Sequence, residues 1–297
     1  PYPVPNPDFT DFIAMGRTLV GLELPNDLRR APVVGVLQVL ISRFLETDAP
    51  ELSAGWLLNA VLSVVNVLLL WQVARHFIGK AAAFLAIAAM LNPWVLRSQV
   101  NPIAETTMIF FILASFYCMF RRSHWVYFFA SIAALVRYEC SALIFIAFVM
   151  DMMLRKGMKQ RLIAFGWSAA ASIPFLLWML GTYLKWGHGT GGSKSHYIKN
   201  ILPGTRQVGM GFIDLLWQSA FGVAAAWPKY LQSVFATETL TLLNQTAAVI
   251  LIVAGLGYAV YKRHWKMLAL VIFIVLYLFI HMNRPNSHHR YTVPIAW

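Results

Sequence analysis

The sequence predicts an all-α, polytopic integral membrane protein with about eight transmembrane helices, plus interfacial helices in its first outer loop. Of the 297 residues, 59% are hydrophobic and only 12% are charged, whereas a soluble domain carries about 25% charged residues. Apolar runs follow one another along most of the chain, and basic residues concentrate in the short loops between them. A water-soluble fold could not bury this much apolar surface.

The net charge of +12 does not indicate a nucleic-acid partner. The basic residues lie in short loops between apolar runs, where anionic membrane lipids or the positive-inside rule explain them. The two cysteines, Cys118 and Cys140, have neither a disulfide framework nor the spacing of metal ligands.

The first 52 residues form the predicted outer loop. Helical periodicity from Asp8 to Leu22 predicts a short helix at the membrane interface. A turn follows at residues 25–27. The apolar run from Pro32 to Leu45 is too short for a hydrocarbon core of about 30 Å, which favours a second interfacial helix.

The remaining chain divides into a transmembrane bundle at 53–184, a long outer loop at 185–239, and C-terminal transmembrane helices with an outer segment at 240–297. The predicted spans are 53–74, 81–96, 105–120, 125–136, 141–154, 162–184, 240–261 and 267–283. Several of these runs are shorter than the ~20 residues that a straight span needs.

Basic turns set the predicted orientation. They lie at residues 75–80, 121–122, 155–161 and 262–266, and they alternate as expected if all four face the cytoplasm. Every acidic residue except Asp151 then falls on or near the other side, so the active face is predicted to be extracytoplasmic. An outside start and an apolar end also favour one further helix before Pro1 and another segment after Trp297.

Two acidic positions are the first candidates for chemistry. Asp8 and Asp11 are three residues apart and share a helix face, so they could act as a base or bind a divalent cation. The alternative is helix capping, because Asp is favoured where a helix begins. Glu105 opens a predicted span on the same side, where it could also serve only as a partner of the helix dipole.

Charged residues elsewhere on the predicted outer side complete the set. Arg137 and Glu139 interrupt an apolar region, and charges there indicate a functional site unless they form only a local pair. Arg290 could bind a phosphate through its planar guanidinium. His289 is one of two consecutive histidines, which rarely face one ion, so the presence of a metal stays open.

The order of these motifs resembles the GT-C superfamily of membrane glycosyltransferases, particularly its protein mannosyltransferase and aminoarabinose transferase branch. The matching stretches are Asp8-Phe9-Thr10-Asp11-Phe12, Arg30-Ala31-Pro32, Glu105, Arg137-Tyr138-Glu139 and Arg290-Tyr291-Thr292-Val293-Pro294. They cover roughly residues 8–154 and 284–297. Phe9 stands where the family often has a second acid.

The resemblance implies sugar transfer from a polyprenyl-phosphate-linked donor lipid to an acceptor of unknown identity at the outer membrane face. Asp8 and Glu105 would be the catalytic pair, and Arg290, Arg137 and Tyr291 would bind the donor phosphate. Asp11, Glu139, Arg30 and His289 are secondary candidates. No cofactor is certain, although a divalent cation fits the family. The alternatives are a transporter or flippase, and a non-catalytic membrane subunit of a larger complex.

Overall fold

A computed structural model describes residues 7–23, 30–90, 101–155, 157–186, 254, 257–258, 261–262 and 264–281. All regular secondary structure in these ranges is helical, which confirms the all-α prediction. The helices are α1 Pro7–Val20, α2 Pro32–Ser42, α3 Pro50–Ile78, α4 Ala82–Met90, α5 Ala104–Phe120, α6 Trp125–Val136, α7 Ala142–Leu154, α8 Met158–Trp186 and α9 Trp265–His281. Short 3-10 turns lie at Gly79–Ala81 and Tyr138–Ser141.

Proline and glycine define several helix ends. Pro32 and Pro50 occupy the first turns of α2 and α3, where a missing backbone N–H removes no intrahelical hydrogen bond. Gly79 ends α3 with φ 62°, and Gly157 separates α7 from α8 with φ 101°. Both values lie in the left-handed region that glycine enters without a steric penalty.

Helices α1 and α2, which correspond to the two short helices predicted in the first loop, form a closely packed pair. One face of α1, including Phe9, Phe12 and Met15, is buried. The α1 backbone at Gly16 meets the α2 backbone at Gly35 so closely that neither position has room for a Cβ atom. Small residues at a helix crossing permit this approach.

Helix α5 is the centre of the bundle. All of its residues except Phe110 and Tyr117 are buried, and it packs against α3, α6 and α7. The apolar residues of α5 therefore pack against the neighbouring helices. Hydropathy alone does not distinguish a central helix from one that faces lipid.

Helix α3 has an unusual distribution of side chains for a soluble protein. Its exposed face carries a row of aliphatic residues: Leu57, Val61, Val64 and Leu68. Its buried face carries Asn59 and Asn66, each only 1% exposed. Aliphatic residues outside and amides inside suit a helix whose surroundings are apolar.

Two described helices are long and apolar enough to cross a membrane, Pro50–Ile78 and Met158–Gly181. Four other apolar helices in the described ranges span 10–17 residues, less than the ~20 residues of a straight span. About eight transmembrane helices therefore stay a prediction, and most of the predicted span 240–261 lies outside the described residues.

The predicted basic turns meet at one end of the bundle. The Phe77 ring, near the end of α3, lies 5.6 Å from that of Phe120 and 5.7 Å from that of His264. At the same end the Tyr127 hydroxyl donates to Asp151, 3.0 Å away, and Asp151 pairs with Arg155 at 2.9 Å. The one acidic residue predicted on this side is thus paired with a basic neighbour.

Candidate functional site

The carboxylates of α1 are held by one arginine. The Arg30 guanidinium forms ion pairs with Asp8 and, at 3.3 Å, with Asp11. The Asp8 side chain is 18% exposed and that of Asp11 is 45% exposed, so Asp8 is the better shielded of the two. Asp8 also lies in the first turn of α1, so its contact with the helix dipole coexists with the ion pair.

A hydrogen-bonded chain connects Arg30 to helix α8. The Tyr138 hydroxyl donates to the backbone carbonyl of Arg30 at 3.3 Å, and it accepts from Trp178 Nε1 at 2.9 Å. The Arg30 side chain also lies over the Phe12 ring, 5.6 Å from its centroid. Residues from α1, α8 and the turn after α6 therefore fix the position of Arg30.

Burial raises the pKa of Tyr138 to about 12, and its hydrogen bond from Trp178 opposes this shift. The hydroxyl therefore stays protonated and able to donate throughout the physiological range. The folded-state pKa exceeds the ordinary tyrosine value of about 10. The contribution of the protonated Tyr138 hydroxyl to the free energy of unfolding is therefore fully present below about pH 10. It is lost as the pH rises toward 12.

Arg137 lies between two carboxylates. Its guanidinium is 3.5 Å from Glu105 Oε1 and 3.6 Å from Glu139 Oε2. The three side chains are 12%, 5% and 10% exposed, respectively. Because Glu105 belongs to α5, Arg137 is more than a local partner of Glu139, and it joins two separate parts of the chain.

Buried amides hold the segment that leads to Glu105. Gln38 Nε2 donates to the Pro102 carbonyl at 2.9 Å, and Asn59 Nδ2 donates to the Asn101 carbonyl at 2.6 Å. One turn into α5, Asn66 Nδ2 donates to the Thr106 carbonyl at 3.1 Å. These three bonds attach the start of α5 to α2 and α3.

The structure thus brings six of the predicted residues to one end of the bundle: Asp8, Asp11, Arg30, Glu105, Arg137 and Glu139. Asp8 is connected to Glu105 through the segments of Arg30, Tyr138 and Arg137, rather than by a direct contact. We call these six residues and Tyr138 the polar cluster. His289, Arg290 and Tyr291 lie outside the described residues.

The described residues contain no group of three or more His, Cys, Asp or Glu side chains that could hold a metal ion. Arg30 contacts both carboxylates of α1, Asp8 and Asp11, whose spacing in the sequence was also compatible with a divalent-cation site. The geometry of these groups therefore fits an ion pair with arginine rather than a cation site.

Sequence reasoning missed two members of this arrangement, Tyr138 and Trp178. Tyr138 lies between the candidate residues Arg137 and Glu139 in the sequence. That position was the one indication that it belongs to the site. Trp178 lies within an apolar helix, 40 residues from its partner, and nothing in the local pattern distinguishes it from other interfacial or lipid-facing tryptophans.

Replacing Tyr138 by Phe is expected to lower the free energy of unfolding by about 1–2 kcal/mol, because the Trp178 indole N–H then lacks this acceptor in a partly buried site. Thermal unfolding of the detergent-solubilised chain would measure the change. Tyr258→Phe is the matched control, since Tyr258 is 58% exposed. Equal melting temperatures for the two variants would contradict a structural role for the Tyr138 hydroxyl.

Comparison of the chain with protein-family models, curated proteins and solved structures found no match. The function has to follow from the chemistry of the polar cluster and its place in the bundle.

Proposed function

We propose that this chain is a multi-pass membrane glycosyltransferase that moves a sugar from a polyprenyl-phosphate-linked donor to an acceptor at the extracytoplasmic face. The observation that supports this proposal best is the polar cluster, which gathers acids and arginines from distant parts of the chain at one end of the helices. The resemblance of the short motifs to the GT-C superfamily supplies the reaction type.

The location of the cluster suits a lipid-borne donor. Helix α3 has 29 residues and a length of about 43 Å, which exceeds the ~30 Å hydrocarbon core. In a membrane its ends would reach the headgroup regions, with the basic turns at one end and the polar cluster toward the other, beside Asn59 and Asn66. A polyprenyl tail stays within the bilayer, so its sugar phosphate lies at this level.

In the proposed reaction, the acceptor nucleophile attacks the anomeric carbon of the donor sugar and transfers its proton to the Asp8 carboxylate. The bond between that carbon and the phosphate oxygen breaks, and polyprenyl phosphate leaves with the electron pair. Arg30 would position Asp8 through the observed ion pair. Glu105 would orient the acceptor. A single displacement implies inversion at the anomeric carbon.

Charge balance limits how the donor phosphate can be bound. With all groups ionised, the guanidiniums of Arg30 and Arg137 balance two of the four carboxylates, so the described polar cluster carries a net charge of −2. An anionic phosphate needs further positive charge to bind there. In the proposed reaction, Arg137 together with Arg290 therefore binds the phosphate.

Sugar transfer by the purified full chain in proteoliposomes tests this function. The probes are polyprenyl phosphates that carry different radiolabelled sugars, supplied with a membrane extract as the source of acceptors. The wild-type chain is expected to release unlabelled polyprenyl phosphate and to label an acceptor. Donor that crosses between leaflets without losing its sugar would instead favour the flippase alternative.

Replacing Arg137 by Gln is expected to reduce kcat/KM for transfer by about 100-fold or more, because the leaving phosphate loses a guanidinium. Arg137→Lys keeps the positive charge between Glu105 and Glu139 and separates a loss of chemistry from a loss of folding. Arg17→Gln is the control, since Arg17 is 64% exposed and pairs only with Glu51 among the described residues. Full activity of Arg137→Gln would contradict the assignment.

A further inference from the structure

The second concentration of charge lies at the opposite end of the bundle, around Trp265. The Arg122 guanidinium lies 6.0 Å from the centroid of the Trp265 ring, and the Lys266 ammonium lies 5.6 Å from the same centroid. Lys266 is also 5.7 Å from the centroid of Phe120. Two cations, one from the turn after α5 and one from α9, therefore share one aromatic side chain.

These cations have no acidic partner in the part of the chain that the structure describes. The ion pairs there involve Arg17, Arg30, Arg137 and Arg155, whereas Arg121, Arg122 and Lys266 contact aromatic rings. Like charges held close together repel one another unless an anion lies between or beside them. The positive-inside rule requires basic loops, but it does not require that their side chains converge.

Backbone geometry contributes to this convergence. Arg122 has φ 56°, a left-handed conformation that is uncommon for a residue other than glycine, asparagine or aspartate. It follows the end of α5, and this conformation turns the chain toward α6. The adjacent Arg121 remains exposed and lies over Tyr117, with its guanidinium carbon 4.6 Å from the ring centroid.

The position of the group along the bundle identifies what it would meet. Phe77, in the last turn of the long apolar helix α3, packs against Phe120, which in turn contacts Trp265 at 6.0 Å between ring centroids. The cations therefore lie level with the end of a helix that is long enough to span a bilayer. Tryptophan is enriched at this level, where the acyl chains meet the headgroups.

We propose that Arg122, Lys266 and Trp265 form a binding site for the phosphate of an anionic phospholipid in the adjacent leaflet. The guanidinium and ammonium groups donate to the phosphate oxygens, and the indole packs along the glycerol and upper acyl chain. This site lies at the end of the bundle opposite the polar cluster and does not depend on the proposed glycosyl transfer. It would select phosphatidylglycerol-type lipids over zwitterionic phosphatidylcholine.

Lipid binding by the full chain in detergent micelles tests this site. Native mass spectrometry would measure retention of phosphatidylglycerol and phosphatidylcholine of equal acyl length by the wild type and by Arg122→Gln/Lys266→Gln. Each basic side chain near an anionic headgroup contributes about fivefold in affinity, so the double variant should bind phosphatidylglycerol about 25-fold more weakly. Its binding of phosphatidylcholine should not change.

Lys159→Gln/Arg161→Gln removes the same charge from exposed positions on α8 and should retain the lipid preference. Arg122→Lys/Lys266→Arg keeps both charges and should also retain it. If the Gln variant does not fold, the wild type still decides the question, because added NaCl should weaken phosphatidylglycerol binding selectively. Equal binding of the two lipids by the wild type, or an equal loss in the α8 control, would overturn the proposal. Complete displacement by millimolar inorganic phosphate would also overturn it.

Discussion

Replacing Asp8 by Asn is expected to lower kcat for sugar transfer by about 10²–10⁴-fold, the usual contribution of a general base. Asn has nearly the same shape as Asp but cannot take the proton from the acceptor nucleophile. It can still accept a hydrogen bond from Arg30, so most of the local structure should remain. Steady-state transfer from a polyprenyl-phosphate-linked sugar would measure the effect.

Asp48→Asn is the matched control, because Asp48 is an exposed residue of the loop between α2 and α3 and does not belong to the polar cluster. Asp11→Asn should have a smaller effect than Asp8→Asn, since the Asp11 side chain is the more exposed of the two. If Asp8→Asn transferred sugar at the wild-type rate with an unchanged KM, Asp8 would not be the base. The reaction would then need another acceptor for the proton.

Replacing Gly35 by Ala is expected to lower the free energy of unfolding by about 1–3 kcal/mol or more, the range of an overpacked core. A Cβ atom at this position would overlap the backbone carbonyl oxygen of Phe12. Backbone atoms cannot rotate away as a side chain can, so α1 and α2 must move apart. Thermal unfolding in detergent and limited proteolysis within α1 would both report this separation.

Gly166→Ala is the control for helix propensity. Gly166 lies in the exposed helix α8, and a Cβ atom there meets no other atom within 4 Å. Alanine at this site should stabilise the chain by about 0.5–1 kcal/mol. The same substitution is therefore expected to have opposite signs at the two glycines. A Gly35→Ala variant as stable as Gly166→Ala would show that the crossing of α1 and α2 is looser than described.

Helix positions were the part of the fold that local sequence predicted well. The apolar run 125–136 became helix α6 with the same bounds, and 105–120 became α5 with one residue more at its start. These runs end at charged or turn-forming residues such as Arg121 and Arg137, where continued burial without partners would be unfavourable. Hydropathy and charge therefore determine where such helices begin and end.

The contacts of the polar cluster were less accessible to prediction. Arg30 meets a carboxylate 22 residues away, and its carbonyl accepts from a tyrosine 108 residues away. No local period encodes such pairs, because they depend on how several helices pack together. The same limit applies to α5: hydropathy predicted an apolar helix there, but not that other helices would surround and bury it.

The arrangement of side chains on α3 reverses the usual pattern of mutational tolerance. Its outward aliphatic row is exposed, so one branched hydrocarbon should substitute for another there with little consequence. Its inward Asn59 and Asn66 each donate to a specific backbone carbonyl, and even a similar side chain such as aspartate would lack that donor. Sequence variation in this helix should therefore be frequent at leucine and valine and rare at asparagine.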